Sequence, residues 1–228
     1  MCGRASLTKN EKELEARFQA SFYSEDIERY NPLPNFNVAP THRLPVITNE
    51  DPGHFRPLSW GLLPFWAKDE KIAYKMINAR VETLEEKPAF RQALHKRRCL
   101  VPLDGFYEWE RKGKDKLPYN IRRRDGACFA VAGLWEQWKR PGTGELLHSF
   151  TIVTQAASDE FAWLHDRMPA MMLPDEERLW IDPELSAREA LGLIRPFPYE
   201  LLDIYRVSPL VNNVRHNEPS LIEPLAGG

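Results

Sequence analysis

The stretch Arg98-Cys99-Leu100-Val101-Pro102-Leu103-Asp104-Gly105-Phe106-Tyr107-Glu108-Trp109-Glu110, running on into Lys112-Gly113-Lys114-Asp115 and Tyr119-Asn120-Ile121-Arg122, decides how this chain is read. It opens as an apolar strand, breaks at an Asp-Gly turn, and resumes as a strand with an acidic residue set between aromatics. The Lys112–Asp115 tetrapeptide then has the composition of a hairpin tip joining 106–110 to 119–122. Outward from this centre, short runs rich in β-branched or aromatic residues fall at 44–48, 98–102, 128–134, 150–154 and 204–207. Helix signals lie between them. Thr8 with Glu11 has a capping-box pattern ahead of Leu14 and Phe18, predicting a helix near 8–20. Pro88 suits the first turn of a helix over 88–96. Ser158 would cap a helix through Phe161 and Leu164 that ends before Pro169, and Ser186 with Glu189 repeats the capping box before 190–194.

Nineteen prolines and 12 glycines spread over 228 residues suit many short elements, and the strands and helices do not alternate as βαβ units would. The expected fold class is α+β: a single domain over 2–228, built on a curved, mainly antiparallel, barrel-like sheet with flanking short helices. At 43% hydrophobic and 28% charged residues the composition is that of a globular protein. A chain of this length buries roughly 70–75% of its unfolded surface, so neither disulfide nor metal is needed to hold it.

The same inventory excludes several function classes. Three cysteines, Cys2, Cys99 and Cys128, make an odd count without CxxC spacing, which argues against a disulfide framework or zinc knuckle. His42, His54, His95, His148 and His216 show no ligand spacing, and HExxH, P-loop and GxGxxG patterns are missing, so no metal and no cofactor are expected. No signal-peptide core and no run of about 18 apolar residues occurs, so a cytoplasmic protein with free thiols and no membrane partner is expected. The net charge of -2 predicts no bulk attraction to polyanions. That average hides an uneven distribution, because 91–124 holds 11 Lys/Arg against four Asp/Glu. This segment is either a solvated hairpin and helix face or a phosphate-binding surface.

Few residues carry chemistry. Cysteine at position 2 is small enough for Met1 to be removed by an aminopeptidase. That would leave an amine of pKa about 8 and a thiol of about 8.5 on adjacent carbons. Such a 1,2-aminothiol condenses with an aldehyde to a Schiff base and closes to a thiazolidine, and it can also act as an N-terminal nucleophile. The plain alternative is an ordinary residue at a chain end. Glu108, between aromatics, is a candidate for a raised pKa and acid/base work, or an exposed residue of an edge strand. Asn78 and Arg80, two apart, share a face if extended, unless they are a turn residue and a surface charge. His165 falls where the expected helix would end, and a helix C-terminus favours imidazolium. Aromatics of the Trp60–Trp66 loop either stack on bases or belong to the core.

Seven motifs occur in order: Met1-Cys2-Gly3-Arg4, Asn37-Val38-Ala39-Pro40-Thr41, Trp60-Gly61-Leu62-Leu63-Pro64, Asn78-Ala79-Arg80-Val81-Glu82-Thr83, Arg98-Cys99-Leu100-Val101-Pro102, Asp104-Gly105-Phe106-Tyr107-Glu108-Trp109 and His165-Asp166-Arg167-Met168-Pro169. Together they resemble the SOS response-associated peptidase (SRAP) family over about 2–215. The resemblance implies a sensor that crosslinks covalently to abasic sites in single-stranded DNA, with lyase-like Schiff-base chemistry and autocatalytic removal of Met1. It implies that Cys2 is the aminothiol forming the thiazolidine, that Asn78 orients the amine, that Glu108 assists sugar ring-opening and proton transfer, and that His165 aids Schiff-base formation. By the same resemblance Arg4, Arg80 and Arg167 contact phosphates, Trp66 is a wedge that kinks the strand, and Pro40 and Trp109 touch DNA. A monomer, associated with the nucleoid when on damaged DNA, is expected. Two other readings stay open: a cysteine-type protease acting in trans with His165 as base, and a noncatalytic reader of modified bases using the basic segment and Trp66.

Overall fold

The apolar run that starts at Arg98 becomes the middle strand of a closed ring. The computed structural model describes residues 2–225. Its strands are β1 (Ala5–Leu7), β2 (Ser21–Phe22), β3 (Asn35–Val38), β4 (Arg43–Thr48), β5 (Asp51–Trp60), β6 (Asn78–Arg80), β7 (Arg98–Leu103), β8 (Gly105–Lys112), β9 (Asp115–Arg123), β10 (Phe129–Lys139), β11 (Leu146–Ala156), β12 (Arg167–Pro169) and β13 (Leu202–Arg206). The α-helices are α1 (Glu11–Phe18), α2 (Pro88–Lys96), α3 (Pro174–Trp180) and α4 (Ala187–Gly192).

Strands β5, β4, β7, β10 and β11 follow one another as antiparallel neighbours, and β11 then returns to β5 in parallel, pairing Ser149 with Ser59 and Phe150 with Trp60. That single parallel contact turns an open sheet into a five-stranded barrel without free edges. All six residues of β7 are buried, because one face looks into the barrel and α2 and α3 cover the other. Burial on both sides is why this strand reads as a continuous apolar run instead of an alternating one. A second sheet, ordered β13-β9-β8-β1-β3, is antiparallel throughout and leaves the barrel at the turn between β7 and β8. The α+β, barrel-like, mainly antiparallel expectation matches this architecture. The 112–115 hairpin tip forms as expected, with Lys112 opposite Asp115.

Two local expectations fail for identifiable reasons, and of the two readings of the basic stretch the solvated hairpin and helix face is the one met, with residues 111–116 exposed. The first helix is capped by Asn10 with Glu13, not by Thr8 with Glu11. Thr8 is occupied elsewhere: its backbone N–H and hydroxyl both donate to Asp104 Oδ2. The segment expected to be a helix from Ser158 through Leu164 is a series of turns, with Phe161 N–H donating to Ser158 O and Leu164 N–H to Phe161 O, both at 3.0 Å. Burying Phe161 and Leu164 suffices to anchor it, and the chain must be extended again by Arg167 to enter β12. His165 therefore has no helix dipole behind it. Finally, the basic stretch is dispersed rather than gathered into one surface. Arg98 is buried and donates to the carbonyls of Leu94, Trp180, Asp182 and Leu185, while Arg97, Arg122 and Arg123 pair with Glu136, Asp203 and Asp125.

Candidate active site

Asp104 links the first strand to the eighth. Its carboxylate accepts from Ser6 Oγ at 2.7 Å and from Thr8 Oγ1 at 2.8 Å, and its N–H donates to Ser6 O. Gly105 makes the approach possible, since a Cβ there would sit 2.7 Å from Ser6 Oγ. β1 is thereby laid antiparallel against β8, with Ala5 opposite Phe106 and the Tyr107 N–H on Arg4 O at 2.9 Å. Following that register back carries Cys2 alongside Glu108 and Trp109. Nothing in the spacing of the sequence announced Asp104 as the grip, although it stands inside the stretch that decided the fold.

Cys2 is fully buried, and its carbonyl oxygen accepts Asn78 Nδ2 at 2.7 Å. Asn78 arrives from another layer: β6 runs parallel to β11, with Asn78 opposite Ile152. With Nδ2 engaged, Asn78 Oδ1 is buried without a hydrogen-bond partner among the described residues. Burial, then the nearby charge of Glu108, pushes the Cys2 thiol far above the ordinary thiol range. Glu108 is only 3% exposed, and burial raises its carboxyl above the usual carboxylate range, against the opposing influence of His165 and the Trp109 backbone N–H. His165 Nδ1 accepts the Arg167 backbone N–H at 2.9 Å, which places the proton of the neutral ring on Nε2. The exposed Asp166 carboxylate lies 2.9 Å from that same Nδ1.

The four chemistry-bearing residues named from sequence thus come from four separate elements into one partly dry centre. A carboxyl raised above its ordinary range near a thiol held protonated suits proton transfer between them, not a standing thiolate nucleophile. No group of three or more His, Cys, Asp or Glu side chains that could hold a metal occurs among the described residues. A roomier cavity of about 640 Å³ lies elsewhere, lined by residues including Arg29, Arg56, Asp51 and His148. It holds no cysteine, and Arg29 and Arg56 are already set against Asp26 and Asp51.

Comparison with known proteins gives this centre a context. The family model described as SOS response associated peptidase (SRAP) matches residues 1–214. The chain belongs to the SRAP family. The abasic site processing protein YoqW of Bacillus subtilis is 40% identical over 226 residues, covering 98% of this chain and 99% of its own. The abasic site processing protein HMCES of Xenopus tropicalis is 34% identical over 85% of this chain and 66% of its own. A crystal structure of a Bacteroides thetaiotaomicron protein superposes with a TM-score of 0.91 at 30% identity, over 98% of this chain and all of that one.

The remaining SRAP positions are not all equivalent. Arg80 is exposed and ends β6, opposite Thr154. Arg167 is 9% exposed, and its guanidinium grips both Glu82 oxygens at 2.5 and 3.0 Å and Thr154 O at 2.7 Å. Arg4 donates to Asn37 Oδ1 at 2.7 Å and Val211 O at 2.6 Å. Pro40 is half-buried in the turn from β3 to β4. Trp66 is 47% exposed beside Phe65 at 57%, and the two line a groove of about 480 Å³ with Pro88, Arg91 and His95. None of the four chemistry-bearing residues lines that groove. Trp109 lies on the opposite face of β8 from Glu108, its indole N–H on Asn212 Oδ1 at 2.7 Å. The Trp60 motif splits accordingly, Trp60 being buried in the core and Trp66 exposed. Cys99 and Cys128 are buried free thiols, as expected of core residues. Removal of Met1 concerns a residue outside those described. No helix among the described residues is long and apolar enough to cross a membrane.

Proposed function

We propose that this protein senses abasic sites in single-stranded DNA and captures them covalently through Cys2. The observation that carries the reading is the Cys2 centre, where a buried thiol lies within electrostatic reach of the Glu108 carboxyl while Asn78 holds the Cys2 carbonyl at 2.7 Å. The relatives, abasic site processing proteins by name, support the same substrate.

Hydrolysis of the Met1–Cys2 bond by the protein itself exposes the Cys2 amine. Asn78 Oδ1 accepts one of its N–H groups and aims the nitrogen lone pair. The abasic sugar is chiefly a closed hemiacetal, so Glu108 in its neutral form donates a proton to the ring oxygen while its other oxygen takes the proton of the anomeric hydroxyl, and the ring opens to the aldehyde with Glu108 neutral again. The amine adds to the aldehyde carbon and water leaves, giving a Schiff base, with His165 Nε2 serving the departing oxygen. The Cys2 S–H then adds across the C=N bond: sulfur joins carbon and the proton passes by way of Glu108 to nitrogen. One water is lost overall and no electrons are exchanged, so neither cofactor nor metal is called for. Holding amine, thiol and aldehyde carbon together contributes several kcal/mol through proximity. Arg80, and Arg4 and Arg167 once released from their present partners, contact phosphates, with Trp66, Pro40 and Trp109 further along the strand. The protein acts as a monomer in the cytoplasm, on the nucleoid where DNA is damaged.

The test is a denaturing gel of protein mixed with a single-stranded oligonucleotide carrying one abasic site. A shifted band is expected for the processed wild type and for neither Cys2→Ala nor a form that retains Met1. Absence of the band with a free Cys2 amine sinks the proposal. Cysteine-dependent cleavage of unrelated peptides would favour a protease, and Cys2-indifferent binding a reader.

A further inference from the structure

Resting on that reading, a further DNA-binding residue emerges from the loop 158–166. Its side chains lie in register along the β8–β9 face that carries Glu108. Phe161, fully buried, is over Phe106 with ring centroids 6.3 Å apart, and Trp163 meets Tyr119 edge-on at 5.3 Å and 81°. His165 follows, within electrostatic reach of Glu108. Tyr119 is the cross-strand partner of Glu108, so the two side chains share one face. Trp163 therefore sits at the rim of the centre, two residues from His165 and beside the neighbour of Glu108.

Its exposure is the second observation. Phe161 and Leu164 anchor the loop in the core, yet Trp163 between them remains 49% exposed. An edge-on contact covers at most one face of the indole and leaves the other to solvent. An uncovered aromatic face is a stacking platform for a nucleobase, and every base offers a π-face to it. Of the aromatics named from sequence, Trp109 is on the far side of β8 and Trp66 lines a separate groove with α2, so neither shares this face. The loop also carries Asp159, Glu160 and Asp166. These carboxylates repel phosphate, so a strand passing here turns its backbone outward and a base inward.

We infer that Trp163, backed by Tyr119, stacks on the unpaired base adjoining the abasic nucleotide and seats the strand for capture. The experiment measures equilibrium binding to single-stranded oligonucleotides whose abasic site is reduced and so cannot crosslink. In one the neighbouring nucleotides carry adenine; in two others the 5′ or the 3′ neighbour is itself base-less. Trp163→Ala should weaken binding to the first about fivefold to a hundredfold, the range of a base–aromatic stack. It should have no effect when the stacked neighbour is the one removed, and Trp163→Phe should restore most of the affinity. The salt dependence should be unchanged, because no phosphate contact is lost. Equal weakening on all three oligonucleotides, or none on any, overturns the inference. Because binding is read on unreactive DNA, that outcome stands apart from a failure of wild type to crosslink, which would instead overturn the function proposed above.

Discussion

The two faces of strand β8 differ in what they spend their side chains on. One carries Phe106, Glu108 and Glu110 and looks toward Cys2, the 158–166 loop and His165. The other carries Tyr107 and Trp109 and is bound to the C-terminal segment. There Tyr107 Oη donates to Phe36 O at 2.7 Å, Trp109 donates to Asn212, and Asn37 Nδ2 bonds the carbonyls of Asn213 and His216. Arg4 closes this network from the N-terminal side, on Asn37 Oδ1 and Val211 O. The first face keeps an acid buried where it costs stability, and on the second Tyr107, Trp109, Asn37 and Arg4 each make hydrogen bonds. A reactive group requires an environment that disfavours its charge, whereas a structural tie requires every donor matched. Two residues adjacent in sequence, Tyr107 and Glu108, thus serve opposite ends.

The sharpest way to test this division is at Glu108. Glu108→Gln should slow crosslinking by roughly 10²–10⁴-fold, the usual worth of a positioned acid/base, with DNA half-saturation unchanged. The folded-state pKa of this carboxyl is raised above its unfolded value. Whatever stability the carboxyl contributes is fully present below the unfolded value and is lost as pH rises through the folded one. Thermal melts should therefore show the Gln variant more stable than wild type above neutral pH, the advantage vanishing below the ordinary carboxylate range. A variant that is slow, but destabilised at high pH, would break the contrast.

A smaller effect is expected at Arg80, which is exposed and makes no salt bridge among the described residues, although its charge reaches Glu82. Arg80→Ala should lower the slope of log affinity against log salt by about one and leave the crosslinking rate at saturation alone. Smallest in function is Asn37, on the structural side. Asn37→Ala leaves buried carbonyls and an arginine short of partners, for about 1–3 kcal/mol. In a chain of this size that lowers Tm by roughly 3–10 °C, while crosslinking per folded molecule stays within about threefold. A loss of rate exceeding the loss of stability would place Asn37 with Glu108 and erase the distinction between the faces.

Several of these features are legible in the residues themselves. Cys2 declares itself by position, Asn78 and Arg80 by their spacing, and Glu108 by its setting among aromatics. Others are not. Thr8-x-x-Glu11 and Asn10-x-x-Glu13 are equally good capping boxes, and only the bond from Thr8 to Asp104, 96 residues away, selects the second. Trp109 adjoins Glu108 in sequence yet faces away from it, because successive side chains of a strand alternate. Trp163, 55 positions on, is an exposed aromatic beside the Glu108 face, against Tyr119. The basic run of 91–124 looks like one surface in one dimension and is dispersed in three, Arg98 going wholly inside.

By itself, the sequence determined the α+β class, most of the strands, the apolar strand that starts at Arg98, and which residue types have the chemistry. Those depend on periodicity, turn residues and side-chain reactivity, all local properties. Only the tertiary structure decided that β11 closes on β5, that Asp104 lays β1 against β8, and that Cys2, Asn78, Glu108 and His165 meet. Each of those depends on contacts between residues far apart in the chain, whose partners are chosen by which faces remain to be buried once the local elements have formed.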